Sequence, residues 1–236
     1  MTSLAIGSER LAPRSTTATK AASSTRLKLT EIFLSLQGES TFVGCPTVFV
    51  RLTGCPLRCG YCDTEYAFHG GRWHEQAEVL ATVASLGARH VCVTGGEPLA
   101  QKACLPLLTA LCDAGYTVSL ETSGALDVSG VDPRVVKILD IKTPGSNEVA
   151  RNRWDNLPLL LPQDQIKFVL CSRDDYDWAK RIVAEHALTD RHTVLFSPSA
   201  NQLPARDLAD WIVADRLHVR FQMQLHKLLW GAEPGR

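Results

Sequence analysis

Neither sign of charge is in surplus in this sequence: its 236 residues carry 25 Lys+Arg and 25 Asp+Glu, and the isoelectric point is near 7.0. A nucleic-acid binder needs a basic excess on one face, so no nucleic-acid partner is expected. Long apolar runs are also missing. None approaches the roughly 20 residues that cross a bilayer, and no membrane span is expected. Residues 1–26 are rich in Ser, Thr, Ala and Arg, with Glu9 their single acid, and they lack the apolar core of a secretory signal. They read as a disordered tail, or as an organelle transit peptide, which shares their shortage of acids. The remainder, 27–236, reads as one domain, because a chain that is 45% hydrophobic and 21% charged has material for a core.

Cysteine is plentiful by contrast, with eight residues, of which Cys55, Cys59 and Cys62 fall within eight positions. A secreted disulfide framework would be shorter and denser. Reduced thiols in a cytoplasmic protein are therefore expected, the trio as metal ligands and Cys92, Cys104, Cys112 and Cys171 as small apolar residues in apolar stretches.

Apolar, β-branched runs at 47–52, 90–94, 117–120, 135–140, 165–170 and 192–196 read as strands. Helical spacing of apolar residues marks 75–86, 104–114, 174–187 and 205–214. Near-continuous apolar strands alternating with helices indicate an α/β fold with a mostly parallel sheet and right-handed crossovers. Six such units fall short of the eight that close a full barrel, so a partial (β/α)6 TIM-like barrel is expected, with reactive groups at the C-terminal strand ends. Residues 142–162, with Pro144, Gly145, Asn147, Asn152 and Asn156, form a connector too long to be a simple turn, which suggests a functional loop.

The trio directly follows the first of these strands, in Leu52-Thr-Gly-Cys55-Pro-Leu-Arg-Cys59-Gly-Tyr-Cys62-Asp-Thr64. Structural zinc prefers four ligands from paired C-x2-C units, and here Cys45, His69 or His74 would have to supply the fourth. Three thiolates on one short loop suit a [4Fe-4S] cluster with one iron open to chelate S-adenosylmethionine (SAM). The spacing, with Tyr61 as the aromatic before the last cysteine, resembles the C-x3-C-x-Φ-C signature of the radical SAM superfamily. Thr94-Gly95-Gly96-Glu97-Pro98 after the second strand resembles that superfamily's GGEP element. The resemblance implies that Tyr61, Cys62, Asp63, Gly96, Glu121, Asp140, Ile141, Lys142, Phe196, Ser197, Pro198 and Ser199 border SAM. Cys45 precedes the strand and reads as a packing residue.

Leu36-Gln37-Gly38-Glu39-Ser40, Arg51, Cys62-Asp63-Thr64 and the ending Gln224-Leu-His226-Lys227 together resemble the 7-carboxy-7-deazaguanine synthase family over about 27–236. Ser40 departs from the usual second glycine of the first motif. The resemblance implies conversion of 6-carboxy-5,6,7,8-tetrahydropterin to 7-carboxy-7-deazaguanine, a queuosine precursor, with loss of ammonia. It further implies an external electron donor of flavodoxin or ferredoxin type and a homodimer. Leu36, Gln37, Gly38, Arg51 and Thr94 would contact the pterin, and Thr64 would ligate Mg²⁺. A glycyl-radical activase and a zinc- or cluster-bound interaction module are the competing readings. Read singly, Arg51 fits a strand-surface salt bridge and Gln37 to Glu39 a plain turn.

Overall fold

The computed structural model describes residues 26–200, 202–231, 233 and 235. The expected tail, residues 1–26, lies outside them except for Arg26, which opens the first strand. Nine strands form one sheet: β1 (Arg26–Leu36), β2 (Pro46–Leu52), β3 (Arg72–Glu75), β4 (His90–Gly95), β5 (Thr117–Thr122), β6 (Val136–Ile141), β7 (Gln165–Leu170), β8 (Thr193–Pro198) and β9 (Arg220–Phe221). Their order is β3-β1-β2-β4-β5-β6-β7-β8-β9. From β2 to β9 every pairing is parallel, whereas β1 runs antiparallel to both β2 and β3. The sheet is therefore an open arc with an antiparallel flap on one flank.

The expected mostly parallel α/β arc is present, with a thinner helical layer than six units would give. Helices α1 (Gln76–Leu86), α2 (Cys104–Asp113), α3 (Arg173–Glu185) and α4 (Ala205–Asp215) serve four crossovers. The β5–β6 and β6–β7 links hold no α-helix, and the second contains three 3-10 turns. A fifth, six-residue helix, α5 (Leu225–Trp230), follows β9. Because the parallel strands advance in one direction, right-handed crossovers place α1 to α4 on a single face.

Residue parity divides the two faces of the arc. Val48, Val50, Val91, Val93, Val118, Leu120, Ile166, Phe168, Val194 and Phe196 form one buried cluster with Val83 of α1, Leu107 and Leu111 of α2, Ala179 and Val183 of α3 and Leu208 of α4. The alternate residues, Phe49 and Arg51, Thr94, Glu121, Asp140, Lys167 and Val169, line the concave side. Alternation of side chains across a strand thus separates an aliphatic helix-facing layer from a polar interior.

Residues 37–45, between β1 and β2, fold into that interior and form its floor. The loop closes through Gln37 N to Cys45 O and Gly44 N to Gln37 O, both 2.8 Å. Thr41 exchanges two hydrogen bonds with the Gln165 amide at the foot of β7, and the Phe42 ring lies 4.3 Å from that of His90 at the foot of β4. Ser40 explains its departure from glycine only in part: its φ is +64°, a left-handed conformation glycine adopts freely, and its buried hydroxyl accepts from Phe42 N at 3.1 Å.

His90 is 5% exposed, and its two ring nitrogens meet the Thr47 hydroxyl at 2.9 Å and the Ser119 hydroxyl at 3.0 Å. Burial pushes its pKa down from 6.5 to about 4. Between those pH values the unfolded chain takes up a proton that the folded chain refuses. The stabilisation from a neutral His90 is complete above pH 6.5 and is lost as pH falls toward 4, by up to about 3 kcal/mol. Urea unfolding at pH 7 and pH 4 should show a steeper loss in the parent than in His90→Gln. Equal losses would refute this account.

Candidate active site

The three thiols sit on the loop that leaves β2, and the end of β4 holds that loop. Gly96 N donates to Leu52 O at 3.2 Å and Glu97 N to Gly54 O at 2.8 Å. A Cβ on Gly96 would stand 2.4 Å from Gly54 O and 2.7 Å from Cys55 Cβ, and one on Gly95 would stand 2.4 Å from Leu52 O. The glycine pair is thus required by close approach of β4 to the cysteine loop, and both glycines also line the cavity above the floor. Glu97 is fully buried and is not a ligand-facing group. Its carboxylate accepts from Leu99 N, Ser123 N at 2.7 Å, and the hydroxyls of Thr122 and Ser123, which joins the ends of β4 and β5.

A cavity of about 770 Å³ opens above the floor, within the range usual for small-molecule sites. Cys55, Cys59, Cys62, Tyr61, Asp63, Thr64 and Gly96 line it, as do Glu121, Asp140, Lys142 and Ser199. So do Leu36, Gln37, Arg51 and Thr94. The structure therefore brings both sequence-derived groups, the thiol loop and the pterin contacts, to one chamber.

Other expected site residues fall elsewhere. Ile141 and Phe196 are buried in the helix-facing core, with Phe196 edge-on to Phe168 and Tyr176. Ser197 and Pro198 are buried in β8 and do not line the cavity. Gly38 does not line it either, because a Cβ there would stand 2.1 Å from His226 Nδ1, so this glycine admits α5. Cys45 is exposed rather than packed, and a seven-residue strand, about 20 Å, separates it from the trio. Of the scattered cysteines, Cys92 and Cys104 are buried as expected, whereas Cys112 and Cys171 are half-buried.

Glu39, Tyr66, Lys167, Gln224 and Lys227 also line the cavity and carried no assigned role in the sequence reading. Arg51 Nε donates to Glu31 Oε1 at 2.7 Å, and the Tyr66 hydroxyl donates to the same oxygen at 2.8 Å. Lys167 of β7 forms an ion pair with Glu39 of the floor. Gln224 donates to Glu39 at 2.8 Å, and Lys227 pairs with Asp63 at 2.6 Å, so α5 ties the floor to the cysteine loop. A charged residue inside an apolar strand run, as in QIKFVL, was the available signal for Lys167.

The electrostatics follow from these pairings. Burial pushes the Asp63 pKa up, but Lys227 overrides it and holds the carboxyl well below the usual range. Burial disfavours the Lys142 charge, and Asp140 at 3.0 Å together with Cys59 more than restores it. The Gln37 amide and the Thr94 hydroxyl both donate to Glu121, at 3.3 and 3.0 Å. Burial raises all three thiols, Cys59 to about 11, so a metal must displace their protons.

Residues 49–140 match the family model described as Radical SAM superfamily, which sets the class. A 7-carboxy-7-deazaguanine synthase from Koribacter versatilis is 41% identical over 222 residues, covering 88% of this chain and 98% of the relative. One from Chlorobaculum tepidum is 45% identical over 210 residues, covering 88% and 96%. The crystal structure of QueE from Escherichia coli superposes with a TM-score of 0.71 at 25% identity, covering 85% of this chain and 95% of that one. The chain belongs to the 7-carboxy-7-deazaguanine synthase family.

Membership of the radical SAM class implies a [4Fe-4S] cluster and SAM. The residues present fit both. Cys55, Cys59 and Cys62 all line the one cavity, as three thiolates that leave one iron open to SAM would. Among the described residues the buried Tyr61 hydroxyl and Asp140 Oδ1 have no hydrogen-bond partner, and both residues border the same cavity, as groups awaiting a ligand would. Also among the described residues, no helix is long and apolar enough to cross a membrane.

Replacing Glu97 with Gln puts an N–H₂ group among four donors. Equilibrium unfolding in urea should show a loss of about 2 kcal/mol, and Glu97→Ala should lose at least as much. A change below about 0.5 kcal/mol in both variants would mean the carboxylate does not join the two strand ends.

Proposed function

We propose that the protein converts 6-carboxy-5,6,7,8-tetrahydropterin to 7-carboxy-7-deazaguanine with release of ammonia, the reaction that gives its relatives their name. The observation carrying this reading is the shared cavity, in which a three-cysteine loop faces a floor bearing Gln37 and a wall bearing Arg51 and Thr94. The cluster that Cys55, Cys59 and Cys62 would hold, together with SAM and an electron from a flavodoxin- or ferredoxin-type donor, would supply the radical chemistry of this conversion.

The chain's own residues do the rest. Cys55, Cys59 and Cys62 hold the cluster. Gln37 presents an amide able to donate to and accept from a pterin edge. Among the described residues Arg51 spends only Nε on Glu31, which leaves its two terminal nitrogens for a bidentate grip on the substrate carboxylate. Tyr61, Asp140 and Lys142 face SAM. The Thr64 hydroxyl, which donates to Asp63 at 2.9 Å, keeps its oxygen lone pairs for a Mg²⁺ ion whose remaining ligands are substrate oxygens and water. The fixed residues of the cavity hold the substrate in one orientation for the reaction.

After anaerobic reconstitution the parent should bind roughly four irons per chain and form the deazaguanine product in a SAM-dependent way, with faster turnover when Mg²⁺ is added. Cys45→Ala should match it, whereas Ala at Cys55, Cys59 or Cys62 should abolish turnover. An iron-replete parent that cleaves SAM but leaves the carboxypterin unchanged would refute the proposed substrate.

Arg51→Lys keeps the charge and loses the fork. The KM for the carboxypterin should rise about tenfold or more, while SAM cleavage without substrate stays near the parent rate. An unchanged KM accompanied by a lower melting temperature would reduce Arg51 to the partner of Glu31.

A further inference from the structure

Beyond Lys142 the long connector after β6 has no assigned role in the reaction, and its backbone and side chains bond to the cysteine loop. Asp175 of α3, 1% exposed, accepts from Gly145 N at 2.8 Å and from Cys171 N at 2.9 Å. Thr143 donates its hydroxyl to Val169 O at 2.9 Å, and the buried Ser146 hydroxyl donates to Thr143 O at 2.6 Å while accepting from Glu148 N at 3.0 Å. Residues 143–148 are therefore pinned to β7 and α3 at several points. From that anchored segment two acceptors reach the loop. Ser146 O takes Gly60 N at 3.0 Å, and Glu148 Oε1 takes Arg58 N at 2.5 Å.

Arg58 and Gly60 are the neighbours of Cys59 on either side. The Cys59 backbone is thus gripped from both flanks by one element, while β4 holds only the Cys55 end. Gly60 is also tightly approached, since a Cβ there would stand 3.1 Å from Asn147 Nδ2 and 3.4 Å from Gly145 O. Arg58 adds a second restraint within the loop, its guanidinium donating to Cys55 O and Leu57 O and lying over the Phe68 ring at 4.3 Å.

We infer that the segment 143–148 is a clasp that positions Cys59 as the middle cluster ligand, with Glu148 as its outer positioning residue. The inference rests on the proposed cluster ligation. Partners that orient metal ligands typically change retention of the metal by 10- to 100-fold when removed. Because Glu148 is partly exposed, the low end applies.

The test measures iron transfer from the anaerobically reconstituted protein to a ferrous chelator, for the parent, Glu148→Ala and Glu148→Gln. Glu148→Ala should release iron about tenfold faster. Glu148→Gln keeps an oxygen acceptor for Arg58 N and should stay within about twofold of the parent. The metal-free proteins should melt within about 2 °C of one another, since a partly exposed hydrogen bond adds little to global stability. Parent-like release from Glu148→Ala would overturn the clasp, as would a matching fall in melting temperature and iron retention in both variants. A parent that acquires no iron would instead refute the cluster reading itself.

Discussion

The cysteine loop contains no helix or strand to fix its shape, so its conformation depends on backbone groups donated by its neighbours. The decisive contact is the approach of Gly95 and Gly96 to residues 52–55, where two N–H groups of the β4 end satisfy carbonyls of the loop at 3.2 and 2.8 Å. Any side chain at those two positions would push the strands apart. The carboxylate of Glu97, one residue on, secures the same turn against β5 by collecting donors that would otherwise be buried without partners. A short sequence thus sets both where the loop lies and how firmly its base is held.

Two ion pairs then join parts of the chain that are far apart in sequence. Asp63 with Lys227 is exposed enough to contribute little energy by itself. Glu39 with Lys167 is more enclosed, and removing one member would leave a charge stranded in the interior. Their common effect is geometric. Floor, thiol loop and α5 are linked through Glu39, Gln224 and Lys227, so the walls of the chamber are set by connections between elements rather than by any single one.

Strands β2 and β4 to β8 were legible because each carries a compact apolar run, and the thiol trio because its spacing is specific. Strand β1 was not, since an irregularity between Leu29 and Glu31 shifts its register and disrupts the period-two pattern that would have marked it. Strand β9 and α5 are too short to leave a pattern. Charges within apolar strands were an ambiguous clue. Lys167 points to the cavity, but Lys137, with the same appearance in sequence, forms a buried pair with Asp164 at 2.7 Å on the opposite face of the neighbouring strand β6. Strand parity, visible only once the register is known, separates them. Gly38 and Gly96 were legible as glycines, but the protein atoms that crowd them, His226 and residues 54–55, were not, because sequence does not reveal which backbone comes close.

Among the described residues the arc does not close and leaves two edge strands, and such edges invite pairing with other chains. Here one edge is β9, a strand of two residues, and the other is β3, whose four residues Arg72, Trp73, His74 and Glu75 include three ionisable side chains. Neither offers the long, flat, uncharged ladder on which a foreign strand could extend the sheet. An open barrel of this kind can keep its mouth wide for two ligands and still resist edge-to-edge aggregation.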